Sequence, residues 1–211
     1  MAGRSFTYSA LVLRSRPSGE SNREAWFLTA EEGILRAVVF GGPKSRLRSH
    51  VAPFHRGKLY VYYDPVRDSR KVNDFDVQSW RPGLRELYER SAVANAIAET
   101  ILAGHGGGGN WNDALRLADE TLEALDNADE NFCARLLVYF LWQWIDLLGL
   151  RPETITLNPG ARLWLAQSEQ LPAAQLSRYT LDTKSFREAK TLVTTILSEA
   201  FGRRLTSWDY S

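Results

Sequence analysis

The sequence predicts an α+β protein, with a small β-barrel first and an all-α part second. Three observations lead there. Five short runs rich in aromatic and β-branched residues, parted by turns, occupy the first 80 residues or so. From Arg81-Pro82-Gly83 onward the apolar residues recur at steps of three and four, the helical period. Charge divides at the same place: residues 1–80 hold 13 Lys and Arg against 8 Asp and Glu, so the formal net charge of +1 hides a basic first part and an acidic second part. Such an asymmetry is expected when one end of a chain meets a polyanion. The chain therefore reads as a barrel domain over 1–80 and a helical domain over 81–211.

Ser5–Arg16 is rich in aromatic and β-branched residues and stops at Pro17, a strand and its end. Pro17 to Asn22 is turn-rich. Arg23–Ala30 is the second strand, and Glu31-Glu32-Gly33 turns into a third, Ile34–Phe40. A loop from Gly41 to about Val51 leads to the fourth, Gly57–Tyr63. Val72–Trp80 alternates weakly and is the fifth. Five short strands in about 75 residues suit a small closed barrel, and the oligonucleotide-binding (OB) barrel is the leading candidate on strand count.

In the second part, Leu84 to Ala103 forms an amphipathic helix, with Leu84, Leu87, Ala94, Ile97 and Ile101 on one face. His105–Gly109 is a flexible connection, since no Gly-Lys-Ser/Thr follows to make it a phosphate loop. Trp111–Leu125 is a second helix. Glu130–Leu148 is the most apolar element, too short and too charged to span a bilayer, with Arg135, Tyr139, Gln143 and Asp146 as a polar stripe. Gly149 and Pro152 end it. Ala161–Ser168 is helical, Pro172 opens a brief helical piece, and Asp182 caps a last helix, Thr183–Phe201, closed by Gly202. The tail after it is basic and ends on an exposed-looking aromatic, Trp208.

Catalysis finds no footing. The three histidines (His50, His55, His105) sit in loop contexts, and there is no Gly-x-Ser-x-Gly elbow and no HExxH pair. The one cysteine, Cys133, excludes an intramolecular disulfide and a Cys-rich zinc site, and in its apolar run it reads as a buried small hydrophobe. No metal, cofactor or enzymatic activity is expected, and a reducing, cytoplasmic setting fits. Arg4, Arg14 and Arg16 precede the first acid, Glu20, as in transit peptides, but Phe6–Leu13 lacks a long apolar core and reads as a strand.

Binding does find footing, in Gly33–Tyr63. No acidic residue lies between Glu32 and Asp64, while Arg36, Lys44, Arg46, Arg48, Arg56 and Lys58 supply six cations. Strands presenting a basic loop point to a nucleic-acid surface, the plain alternative being a hairpin with a solvated tip. Arg14, Arg16 and Arg23 from neighbouring strands and turns would share that surface. Tyr8, Trp26, Phe40, Phe54, Tyr60, Tyr62 and Tyr63 offer rings for base stacking, although some must fill the barrel. Two other readings stay open: a protein-interaction adaptor whose basic loop meets an acidic partner, and an RNA-binding module.

Several motifs in order carry a resemblance. Gly19-Glu20-Ser21-Asn22-Arg23, Glu32-Gly33-Ile34-Leu35-Arg36, Lys44-Ser45-Arg46-Leu47 and Pro53-Phe54 resemble the N-terminal region of the bacterial recombination mediator family RecO. Leu84–Arg90, Leu147-Leu148-Gly149-Leu150-Arg151-Pro152, Asn158-Pro159-Gly160-Ala161 and Gly202-Arg203-Arg204-Leu205 resemble its later landmarks. Many members carry a four-cysteine zinc finger after the central helix; here that place is the short 151–158, so the chain resembles a finger-less member. The resemblance implies an OB barrel followed by a helical domain in a bacterial, nucleoid-associated protein. It also implies binding of single- and double-stranded DNA, annealing of complementary strands, and work with RecR to load RecA on DNA coated by single-stranded DNA-binding protein. The acidic C-terminal tail of that protein would dock on the helical domain, with Arg135, Arg203 and Arg204 as its candidate receivers.

Overall fold

The computed structural model describes residues 4–42 and 44–209. Its first elements are β1 (Arg4–Ser18), β2 (Asn22–Thr29), β3 (Gly33–Val39), α1 (Arg46–His50), β4 (Arg56–Asp64) and β5 (Ser69–Ser79). The strands close into a barrel in the order β1-β2-β3-β5-β4. All seams are antiparallel except β3–β5, where Val38 pairs in parallel with Lys71. This is the OB fold expected from the strand count. β1 is long enough to pair with β2 over Ala10–Ser18 and with β4 over Arg4–Leu11, so a single strand closes both sides.

Alternate residues point inward, as the pleat requires. Ala10 and Val12, Ala25 and Phe27, Leu35 and Ala37, and Leu59 and Val61 form the core of the barrel. The segment after β3, expected as a loop, contains α1. Leu47 packs against the barrel core, and Val51, one turn on, is part of it. Two apolar residues over five positions are too few to separate a plugging helix from a loop by periodicity. His50 consequently lies in α1, not in a loop, and its Nδ1 meets the Phe75 carbonyl at 2.9 Å. His55 is buried, with its Nδ1 at 2.8 Å from the His50 carbonyl.

The helices that follow are α2 (Tyr88–Ala103), α3 (Trp111–Asp126), α4 (Glu130–Leu147), α5 (Pro159–Gln170) and α6 (Thr183–Phe201). Contacts divide the chain into two units, one running to Arg81 and including Gly109–Leu115, the other made of Pro82–Gly108 and the chain from Arg116 on. The second is built round α4, whose Leu136 to Trp142 are all buried. Two caps match the sequence signals, Asp182 accepting from Lys184 and Ser185 and Gly202 adopting φ 65°; Asp129, which the sequence did not single out, accepts from the Phe132 N–H at 2.8 Å.

Two expectations need correction here. The first helix does not begin at Leu84: Pro82–Arg85 is a 3₁₀ turn and α2 starts at Tyr88. Gly83 packs so closely that a Cβ there would stand 2.2 Å from the Asp126 carbonyl, and the Leu84 N–H donates to Asp126 Oδ1. This tertiary contact takes the place of the first helical turn. Trp208 is not exposed either. It is fully buried, and its Nε1 donates to Thr100 Oγ1 at 2.8 Å. Among the described residues, no helix is long and apolar enough to cross a membrane.

Candidate nucleic-acid interface

The outer face of β1, β2 and β3 owes its chemistry to one irregularity. Val12 faces Phe27, but the next pair is Arg14 with Trp26, leaving Leu13 as an extra residue. A bulge of this kind re-aims everything beyond it. In strict alternation Arg14 and Arg16 would share the face of Tyr8, Ala10 and Val12, inside the barrel. The bulge sets them outside, opposite Trp26 and Glu24. Arg36 stands opposite Trp26 on the other side.

The result is a half-exposed indole among three guanidiniums. Arg16, Arg36 and Arg14 lie 4.8, 5.6 and 5.8 Å from the Trp26 ring centroid, within cation–π range. Glu24 sits beneath them. Oε2 accepts from Nε and Nη2 of Arg16, at 3.0 and 2.7 Å, and Oε1 takes the same edge of Arg36. The Glu24 side chain is only 10% exposed, the arginines 50% and 61%. Burial works to raise the Glu24 pKa, but the two guanidiniums outweigh it and hold the carboxyl below its ordinary value.

Other sequence-selected cations fall in separate places. Arg23 pairs with Val39, at the start of β2 and the end of β3. There Lys71, which the sequence reading left out, brings its ammonium 5.0 Å from the ring of Phe40, which is 46% exposed. Lys44 and Arg46 are exposed on and before α1, where Arg46 Nε donates to His50 Nε2; Arg48 is half-buried. Arg56 is turned to the barrel seam, donating to the Ala10 and Gly57 carbonyls and to Ser9 Oγ. Lys58 stands on the outside of β4, in register with Asp76. The nine cations thus do not form one patch. Arg14, Arg16 and Arg36 are brought together, with Glu24 as the residue that composition and spacing could not disclose.

Of the rings, Tyr8 is buried, with burial and its bond to Glu32 pushing its phenol well up, and Phe54 is also buried. Neither is placed to stack on a base. In the helical unit, Arg135 donates to the Tyr179 carbonyl beside Leu181 and Phe186, Arg204 pairs with Asp209 at 2.5 Å, and Arg203 is exposed. Burial pushes the Cys133 thiol up to about 11, far from a reactive thiolate. Among the described residues no group of three or more His, Cys, Asp or Glu is arranged to hold a metal ion. In the short 151–158 segment Arg151 lies 3.9 Å over the Trp142 ring and pairs with Asp146 and Glu169.

Barrel, bulge and face define a class: an OB-fold protein whose β1–β3 surface joins cations to a half-buried ring, followed by a helical unit. Residues 1–79, which hold the barrel, match the family described as Recombination protein O N terminal. The resemblance to RecO read from the sequence holds. The chain is 28% identical over 159 residues to the DNA repair protein RecO of Gloeobacter violaceus, covering 72% of this chain and 59% of that one. It is 31% identical over 151 residues to that of Moorella thermoacetica, covering 70% and 54%. Over a shorter stretch of 61 residues it is 43% identical to that of Heliobacterium modesticaldum, covering 28% and 22%. The chain therefore matches little more than half the length of these relatives at most.

Proposed function

We propose that this protein is a non-catalytic DNA-binding recombination mediator acting in DNA repair in the bacterial cytoplasm. The observation that carries the reading is the cluster of Arg14, Arg16 and Arg36 round Trp26 on the OB face, in a barrel that matches the recombination protein O family. OB folds bind oligonucleotides on the face of strands 2 and 3 and its flanking loops, where Trp26 and Arg36 stand. Guanidiniums neutralise phosphates and release counterions, and the indole stacks on an unpaired base. Lys44, Arg46, Arg48 and Lys71 extend the path along the segment leaving β3. Arg56 contributes to barrel closure more than to DNA.

On this reading the protein anneals complementary strands and, with RecR, helps place RecA on DNA coated by single-stranded DNA-binding protein. The acidic tail of that protein docks at Arg135, where the guanidinium borders the apolar Leu181 and Phe186. Titrating a labelled tail peptide against Arg135→Ala and Arg203→Ala tests the docking. The deciding measurement for the main reading is DNA binding by wild type and by Arg14→Glu/Arg36→Glu. A marked loss of affinity and of salt dependence is expected. Unchanged binding, or no binding by wild type at low salt, overturns it in favour of a protein adaptor.

A further inference from the structure

We infer that Glu24 is a positioning residue that makes this face prefer single-stranded over double-stranded DNA, by holding Arg16 and Arg36 at fixed places on the two sides of Trp26. The inference rests on the DNA-binding reading above and gives that site its selectivity.

A carboxylate in the middle of an anion-binding face is at first sight counterproductive, because it cancels a cation. The details of its contacts give it another role. Each carboxylate oxygen serves one arginine, and each arginine is taken by the same edge, Nε with Nη2. In both guanidiniums Nη1 stays outside the pair, and both side chains keep half or more of their surface exposed. The arms come from opposite sides: Arg16 is on β1 and Arg36 on β3, with Glu24 and Trp26 on β2 between them. Glu24 itself is covered, so its carboxylate meets the arginines rather than solvent. Its lowered pKa agrees with a charge held by two partners.

Two cations at set positions flanking a half-exposed indole fit a nucleotide whose base lies on the ring while its neighbouring phosphates reach the arms. A single strand can turn a base onto the ring. A duplex keeps its bases stacked inside and offers only phosphates. Loose arginines attract any polyanion, but fixed ones reward the ligand that also fills the ring between them.

The test uses the full chain and compares affinities for an oligothymidine and for a duplex, each of about 20 nucleotides or base pairs per strand, at one salt concentration. Three proteins are compared: wild type, Glu24→Gln and Arg36→Gln. The two substitutions change local charge in opposite directions, yet each breaks the clamp. Both are expected to lower the ratio of single-strand to duplex affinity by about threefold or more, with Glu24→Gln raising duplex affinity. If charge alone governed the face, Glu24→Gln would strengthen and Arg36→Gln weaken both ligands by similar factors, leaving the ratio unchanged. An unchanged ratio overturns the inference, as does a wild type with no single-strand preference. A wild type that binds neither ligand defeats the functional reading itself. Should one variant fail to fold, the other alone decides.

Discussion

Arg14 stands directly opposite Trp26 across β1 and β2, its guanidinium 5.8 Å from the indole centroid, because Leu13 bulges out of the ladder. Were Leu13 held in a regular ladder, it would take the place opposite Trp26 and the same arginine would stand opposite Ala25, toward the barrel core. Deleting Leu13 joins Val12 directly to Arg14, so the two keep Phe27 and Trp26 as partners in strict alternation and Arg14 stays outside. The deletion is therefore expected to cost about as much as Leu13→Ala, which loses buried packing of about 2–5 kcal/mol. Chemical denaturation of both variants beside wild type checks this; a deletion far worse than Leu13→Ala would show that Leu13 is not the extra residue of the ladder.

Trp26→Ala should weaken binding of a single strand by about tenfold, since one base stacked on a ring is worth roughly 1–3 kcal/mol. The side chain lies outside the barrel core, so the folded state should survive. Anisotropy titration with an oligothymidine, together with a thermal melt, separates the two effects. Retained affinity in a folded variant would remove the ring from the interface.

Removing one phosphate contact changes how steeply binding falls with salt. For Arg14→Gln the log–log slope on single-stranded DNA should become shallower by about 0.7. Arg56→Gln should leave the slope nearly unchanged, because that guanidinium is bonded to the Ala10 and Gly57 carbonyls and Ser9 Oγ. It should lower stability instead. Titrations at four or more salt concentrations distinguish the pair, and equal slope changes would contradict the placement.

Glu24 also makes a statement about acid. Its folded-state pKa is depressed below the ordinary value of 4.5. A depressed carboxyl contributes stability in full above its unfolded pKa and loses it as pH falls through the folded one. Wild type should therefore lose more stability than Glu24→Gln as pH drops below about 4.5, and the two curves should run parallel above it. Urea denaturation across that range reads the difference; curves parallel at every pH would mean that the ion pairs are not held in solution.

Trp208 offers a stability test in the second unit. It is wholly buried and hydrogen-bonded to Thr100, more than a hundred residues away in sequence. Trp208→Ala should destabilise by about 3–5 kcal/mol. Thr100→Val, which leaves the indole N–H buried without its acceptor, should cost about 1–3 kcal/mol. If denaturation midpoints of both variants matched wild type, the tail would not be packed as described.

Strand count, strand order along the chain and helix caps were legible in the sequence, because each follows from short-range rules. Alternation marks a half-buried strand, and Asp182 and Gly202 sit where local hydrogen bonding or a positive φ needs them. Helix α1 was not legible, since its reason to exist is Leu47 meeting a barrel interior contributed by other strands. The same holds for the 3₁₀ turn at Gly83, which answers to Asp126.

The chemistry of the face divides in the same way. Composition by itself determined that the first 80 residues carry the positive charge and that no acidic residue interrupts Gly33–Tyr63. Only the tertiary structure decided which cations act together. Arg14, Arg16 and Arg36 meet at Trp26 through a bulge and two cross-strand registers, while Arg56 is drawn into the barrel seam and Lys58 is set beside Asp76. Charge is a property of each residue wherever it stands, and so it can be counted along a chain. Whether a charge faces water, a carbonyl or a ring depends on partners brought close by strand pairing.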